Sequence, residues 1–493
     1  MDENAAQPTQ HTSRAPSPGG GKNQLQIIIA LLVGGAIAYF VVPHGEPQGA
    51  LPKGVLLQRI VDKIDRNFVD EVTPEDFDRR FHDGLDHFVR QFDRNTGYVR
   101  PEQVLRFEGS TEGTYIGIGV VIEPSPEYPK ISIVVNSGPA AQAGVKSGDE
   151  IQRIDDEDIH GLPFADVTSR IKGPPGTFVR LTVQRDNGSL LNFDVVREKV
   201  ETSSISAVRL YESRDMSDEK IGYVRLSQFQ ERSHDQLFRA CRNVTQAGAA
   251  ALILDLRSNT GGVLPEAVDI VALFLEEGHI LTTRGRKERD RPRHYKAEEP
   301  GPFASLPVAV LIDGDSASAS EIVSAALRDH HRALLVGTES YGKWTVQTIY
   351  PLGDRANGLL KLTTRRHYPP KGLGIRRDPD DQHRLGLQPD IEVEQSRDDF
   401  VTLYTGWQEE STARINNPYG VDTRTKPSAG SDEAKSDPVL HAALRVLSSR
   451  KVYLQHIAEQ RLRWKSTDGA AGDGTTDVAQ EERDNSPADD GKQ

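Results

Sequence analysis

The sequence predicts a mixed α/β protein with helical segments at both ends, on three observations. Between residues 201 and 395, short β-branched apolar runs alternate with amphipathic stretches, the β-α-β sign of a sheet covered by helices. Residues 54–107 and 438–462 instead carry apolar side chains at helical spacing. Residues 115–197 break into short strands punctuated by glycine turns.

With 493 residues, 36% hydrophobic and 27% charged, the chain has room for two or three ordinary globular domains. The net charge of −13 argues against a nucleic-acid partner. Cys241 is the single cysteine, so no intrachain disulfide can form, and a lone thiol is more often buried filler than a nucleophile. No His-Glu-x-x-His or similar metal spacing occurs, and no cofactor is expected.

Residues 1–24 are polar, with Pro and Gly, and read as disordered. Residues 25–42 contain an uncharged apolar run of borderline length for a bilayer span. A cleaved signal with Ala36-Ile37-Ala38 at its cleavage site competes with an uncleaved anchor; the long preceding tail favours the anchor. Arg14 and Lys22 before the run favour a cytoplasmic N-terminus, which places the remaining chain outside the cytoplasm, periplasmic if the membrane is a bacterial inner membrane.

Residues 43–107 form a helical segment: Val55, Ile60, Val61, Ile64 and Phe68 precede a break at 72–75, and Phe77, Phe81, Leu85, Phe88 and Val89 follow it. In residues 108–200 the order is a Tyr115-Ile116-Gly117-Ile118-Gly119-Val120 loop and strand, a strand at 131–135, a short helix and turn at 138–149, a strand at 151–154 and a helix at 164–172. That series resembles a PDZ domain. The resemblance implies capture of a peptide carboxylate by Tyr115, Ile116, Gly117, Ile118 and Gly119, with Val167 and Ile171 on the groove helix. A packing module without peptide affinity is the alternative.

In residues 201–395, strands are predicted at 222–229 and 249–256 with a helix at 234–247 between them, then the turn Arg257-Ser-Asn-Thr-Gly-Gly262 and a helix at 263–277. A buried strand at 308–312 ends at Asp313-Gly314, and Ile322, Val323, Ala326 and Leu327 recur at helical spacing with Glu321 in the first turn. The serines of DSASASEI therefore sit at a helix N-terminus, whose free N–H groups can hold an oxyanion; helix capping is the bland reading. After a further strand at 333–336, the turn Glu339-Ser-Tyr-Gly342 delivers Lys343 among Tyr341, Trp344 and Val346. Such apolar company can leave the amine uncharged and basic, against the plainer reading of a solvated surface lysine. Alternation puts Lys343, Thr345 and Gln347 on one strand face, so Gln347 can hold the amine in line.

DSASASEI, ALRDHHRALLVG and SYGKWTVQ resemble the protease core of the carboxyl-terminal processing (tail-specific) proteases, which use a Ser-Lys dyad. The resemblance covers residues 55–460. It implies Ser318 as nucleophile, Lys343 as base, Gln347 as the lysine-orienting glutamine and Asp329 as an accessory acidic position, with a peripheral ion-pair role for Asp329 equally open. It further implies oxyanion N–H groups from Ala319 and from Gly261 or Gly262, and a crotonase-like ββα core with the PDZ domain inserted. Trp344 departs from the family's small residue at that position. A trypsin-like turn at Gly314-Asp315-Ser316 is discounted because Ala317 replaces the required glycine, and His330 and His331 lie at the far end of the helix.

The closing part at 386–391 also resembles the family, 376–384 is a charged loop, 396–465 is helical and 466–493 reads as a disordered acidic tail. The expected activity is endoproteolysis near protein C-termini, with the PDZ domain holding the tail. The expected partners are proteins with free C-termini, the membrane through residues 25–42, and either further copies of the chain or an adaptor. A non-catalytic PDZ adaptor presenting tails is the competing class.

Overall fold

The computed structural model describes residues 51–212, 220–286, 291–372, 386–422 and 437–468. The expected N-terminal tail, the membrane segment 25–42, the charged loop 376–384 and nearly all of the acidic tail lie outside these residues. No helix among the described residues is long and apolar enough to cross a membrane.

The chain divides into two bodies, one up to Asp76 and one from Phe77 onward. The first contains helix α1 (Lys53–Asn67), which buries none of its residues. The second begins within α2 (Pro74–Arg90), followed by the short strand β1 (Gly97–Val99) and α3 (Pro101–Glu112).

A compact β module comes next. Its strands are β2 (Thr114–Gly117), β3 (Val120–Glu123), β4 (Lys130–Val134), β5 (Glu150–Ile154), β6 (Glu157–Asp158), β7 (Phe178–Gln184), β8 (Leu190–Val196) and β9 (Glu198–Glu201). Its helices are α4 (Pro139–Ala143) and α5 (Phe164–Ile171). The main sheet runs β3-β4-β5-β7-β8, so β3 lies at an edge, while β2 and β9 pair separately. Ile118, Ile131, Ile151, Leu181 and Val195 close the module's own core.

The larger layer is the six-stranded sheet β10-β11-β12-β15-β16-β19. It comprises β10 (Ile205–Glu212), β11 (Lys220–Leu226), β12 (Ala249–Asp255), β15 (Val308–Ile312), β16 (Ala333–Gly337) and β19 (Ile391–Glu392). All neighbours are parallel except β10 and β11. Both faces are covered, which is why β15 is apolar and buried at every position. Alternate residues sort to the two sides. Leu252, Leu254, Val308 and Val310 meet α6 (Ser233–Gln246), α7 (Leu264–Ala272) and α8 (Ala319–Asp329). Ile253, Ala309, Leu311 and Leu334 meet α10 (Pro438–Leu447) and α11 (Arg450–Asp468), which follow α9 (Arg397–Ala413).

A second sheet runs β1-β18-β13-β14, with β17 also on β18. Its members are β13 (Gly278–Gly285), β14 (Arg293–Ala297), β17 (Thr345–Pro351) and β18 (Leu359–Tyr368). Asn416 links module to core: its amide donates to the Val134 carbonyl at 2.9 Å and accepts from the Asn136 N–H at 2.8 Å.

The structure shortens one predicted element. The helix expected over 263–277 stops at Ala272, because the Leu273 and Leu275 carbonyls accept the N–H groups of Phe303 (3.0 Å) and Gly301 (2.8 Å) from a crossing segment.

Candidate active site

Ser318 is the N-cap of α8, with φ 56° and ψ −109°, a left-handed backbone rare for a residue with a Cβ. Strain of this kind persists where the surroundings over-determine it. The three serines of the turn separate cleanly. The Ser316 hydroxyl donates to the Leu256 carbonyl at 2.9 Å and the Ser320 hydroxyl to the Asn259 carbonyl at 2.7 Å, both buried. Ser318 lies between them and lines a cavity of about 1180 Å³.

The Arg257–Gly262 turn packs against this helix start. At Gly261 (φ 97°) a Cβ would fall 2.6 Å from the Ala317 oxygen, 2.8 Å from the Ala319 nitrogen and 2.9 Å from the Ser318 Cβ. Only glycine fits there. The Gly261 N–H donates to the Asn259 side chain at 2.9 Å, and Phe229 brackets the following residue through Gly261 O and Val263 N. The Gly262 and Ala319 N–H groups are left without hydrogen-bond partners among the described residues, and both residues line the cavity.

Glu321, fully buried, joins this helix start to the turn that carries Lys343. Its carboxylate accepts from the N–H groups of Ser318 (2.7 Å), Gly342 (2.6 Å) and Lys343 (2.9 Å) and from the Ser340 hydroxyl (2.6 Å). Burial pushes its carboxyl above the ordinary range against the pull of those four bonds.

Burial, then the charge of Lys361, hold the Lys343 amine below the ordinary lysine range; Arg94 adds to the effect, while Glu321 and Asp93 oppose it. His367 is buried, and its imidazole, pushed down to about 4, is uncharged at neutral pH; its Nε2 lies 3.1 Å from the Lys343 carbonyl. Trp344 points away from the cavity, edge-on to Tyr368 and beneath the Arg366 guanidinium.

Lys343, Thr345 and Gln347 all line the cavity. The Gln347 amide donates to Thr345 Oγ1 (2.9 Å) and Thr363 Oγ1 (3.1 Å), using both hydrogens and leaving its carbonyl oxygen as the open acceptor. Thr363 in turn donates to Asp93 (3.2 Å), and Asn95 donates to Thr345 (3.1 Å). Burial alone would raise the Asp93 carboxyl, but bonds from Thr96, Asn95 and Thr363 hold it below the usual carboxylate range.

The other expected site residues lie elsewhere. Asp329 is outside the cavity lining, pairing with Arg328 (3.4 Å) and accepting the Lys371 N–H (3.2 Å). Tyr115, Ile116 and Gly117 form a ladder with β9, and Ile118 and Gly119 make the turn into β3. Val167 and Ile171 are packed into the module's own core. Cys241 is buried in α6, its thiol pushed up to about 12. No cluster of three metal-binding side chains occurs among the described residues.

The sequence reading missed Asp93, Thr363 and the linking role of Glu321. The last was visible as a Ser-x-x-Glu capping pattern. Asp93 carries no local signal, because its partner on β18 is 270 residues away.

The profile of Peptidase family S41 matches residues 220–393 and that of the PDZ domain residues 114–196. The chain is 35% identical over 344 residues to a carboxy-terminal-processing protease of Bartonella bacilliformis, covering 69% of this chain and 75% of that protein. It is 30% identical to a carboxyl-terminal-processing protease of Synechocystis sp., covering 71% and 77%. Among solved structures, a photosystem II D1 C-terminal processing protease aligns with 70% of this chain and 94% of its own, at 22% identity and a TM-score of 0.39.

Proposed function

Since this chain belongs to the carboxy-terminal-processing proteases, PDZ-containing serine peptidases of family S41, we propose that Ser318 is its nucleophile and Lys343 its general base. The Ser318 Oγ attacks the scissile carbonyl while the uncharged Lys343 amine takes its proton. Gln347 offers its carbonyl oxygen to an amine hydrogen, aligning the lone pair. The oxyanion is held by the N–H groups of Ala319 and Gly262; Gly261 is the weaker candidate because its N–H is already given to Asn259. The protonated lysine hands its proton to the leaving amine, and water then cleaves the acyl-enzyme with the same lysine as base. Asp329, held by Arg328 and Lys371, stays outside this chemistry.

One observation carries the assignment: of three serines at one helix start, only Ser318 has its hydroxyl free of a backbone carbonyl, and it shares a cavity with a lysine held below its ordinary basicity.

The substrate's C-terminal tail adds to the open edge of β3 beside Ile118 and Gly119, capturing the chain by main-chain bonds and raising its local concentration at Ser318. The apolar run within 25–42 supports a single-pass anchor with the protease outside the cytoplasm.

A fluorophosphonate probe tests the nucleophile. Wild type is labelled at Ser318 and cleaves an unfolded reporter with a free C-terminus. Ser318→Ala does neither, and labelling at another residue contradicts the assignment.

A further inference from the structure

The protein carries a net charge of −13, yet among the described residues the cations Lys361, Arg286, Arg293 and Arg365 line its catalytic cavity, beside Lys343, against one carboxylate, Asp93. That carboxylate already accepts hydrogen bonds from Asn95, Thr96 and Thr363. Strand register explains how the charges collect. Thr283 on β13 faces His367 on one side and Arg293 on the other, and Gly285 faces Arg365. Residues directly opposite in an antiparallel sheet share a face, as do residues two apart on one strand. Arg293 and Arg365 therefore stand on the face that bears His367; a register shift on β18 between Arg365 and Thr363 interrupts the alternation beyond them, and Lys361 lines the same cavity.

The sheet's other arginines have their charges engaged. Arg284 lies 5.2 Å over the Tyr368 ring and Arg366 lies 4.7 Å over Trp344. On the cavity face, Arg365 donates to the Arg291 carbonyl at 3.3 Å, and none of Arg286, Arg293, Arg365 or Lys361 forms an ion pair among the described residues. Guanidinium groups in a cleft bind carboxylates well, often through two parallel bonds. Two strand spacings, about 10 Å, separate Arg293 from His367, which contacts the Lys343 carbonyl. An extended peptide covers that distance in about three residues.

We infer that the cleft selects substrates with Asp or Glu side chains within about three residues of the scissile bond, held by Arg293 and Arg365. This rests on the assignment of Ser318 as nucleophile. The arginines bind rather than react, so the preference appears in KM more than in kcat.

The test uses the full chain and matched peptides carrying Glu, Gln or Lys at the positions flanking the scissile bond. Wild type cleaves the Glu series with kcat/KM roughly tenfold above the Gln series and the Lys series worst, and added salt narrows the spread. In the double variant Arg293→Glu, Arg365→Glu the order reverses, with fluorophosphonate labelling of Ser318 retained as proof of an intact site. Equal cleavage of all three series by wild type, or an unreversed order in a variant that still labels, overturns the inference. Loss of all cleavage together with absence of Ser318 labelling in wild type overturns the nucleophile assignment instead.

Discussion

The buried carboxylate of Glu321 accepts the backbone N–H of Lys343 at 2.9 Å, and the same carboxylate accepts the N–H of Ser318 at 2.7 Å. One side chain thus sets the positions of two residues that reach the cavity from different elements.

Removing it tests that coupling. Glu321→Ala leaves several buried donors without an acceptor, a loss of about 1–3 kcal/mol. Displacement of either reacting group by about 1 Å costs on the order of a hundredfold in kcat/KM. Denaturant midpoints and peptide kinetics read the two effects. A stability loss with unchanged kcat/KM would leave Glu321 a structural residue only.

Charge near Lys343 governs the acid limb of the pH–rate profile. Proton abstraction needs the uncharged amine, so activity falls as pH drops through the lysine's pKa. Lys361 lowers that pKa and Asp93 raises it. Lys361→Gln therefore moves the acid limb to higher pH and Asp93→Asn moves it to lower pH. Shifts of kcat/KM with pH in the two variants should have opposite signs; shifts in the same direction contradict the assignment of that limb to Lys343.

Arg257, 1% exposed, is held by Asp255 (2.6 Å) and by Asp437 (2.8 Å) at the start of α10. The C-terminal helices thereby anchor the glycine turn beside Ser318. Asp437→Ala leaves the guanidinium partly unpaired in the interior, and urea unfolding should report a loss of about 3 kcal/mol. A loss near zero would mean that the pair is not coupled to folding.

Much of the architecture was legible because buried parallel strands such as β15 and β16 read as unbroken apolar runs, and α8 shows its period and its first-turn acid. The α7 boundary was not, since it depends on carbonyls at Leu273 and Leu275 turning to a segment that lies beyond β14 in sequence. The neighbourhood of Ser318 and Lys343 could be located from local sequence, but the separate fates of Ser316, Ser318 and Ser320 depend on which backbone carbonyls lie within reach. The choice between Gly261 and Gly262 likewise turns on the Asn259 side chain. Asp93 and Thr363 meet only through the pairing of β1 with β18, a tertiary relation with no local periodicity.

The role of Lys343 is tested most directly by the acylation rate of Lys343→Ala in a single turnover, alongside binding of a substrate tail to the PDZ domain. The lysine as base predicts that acylation is lost while tail binding is unchanged. Acylation at the wild-type rate in that variant would contradict it.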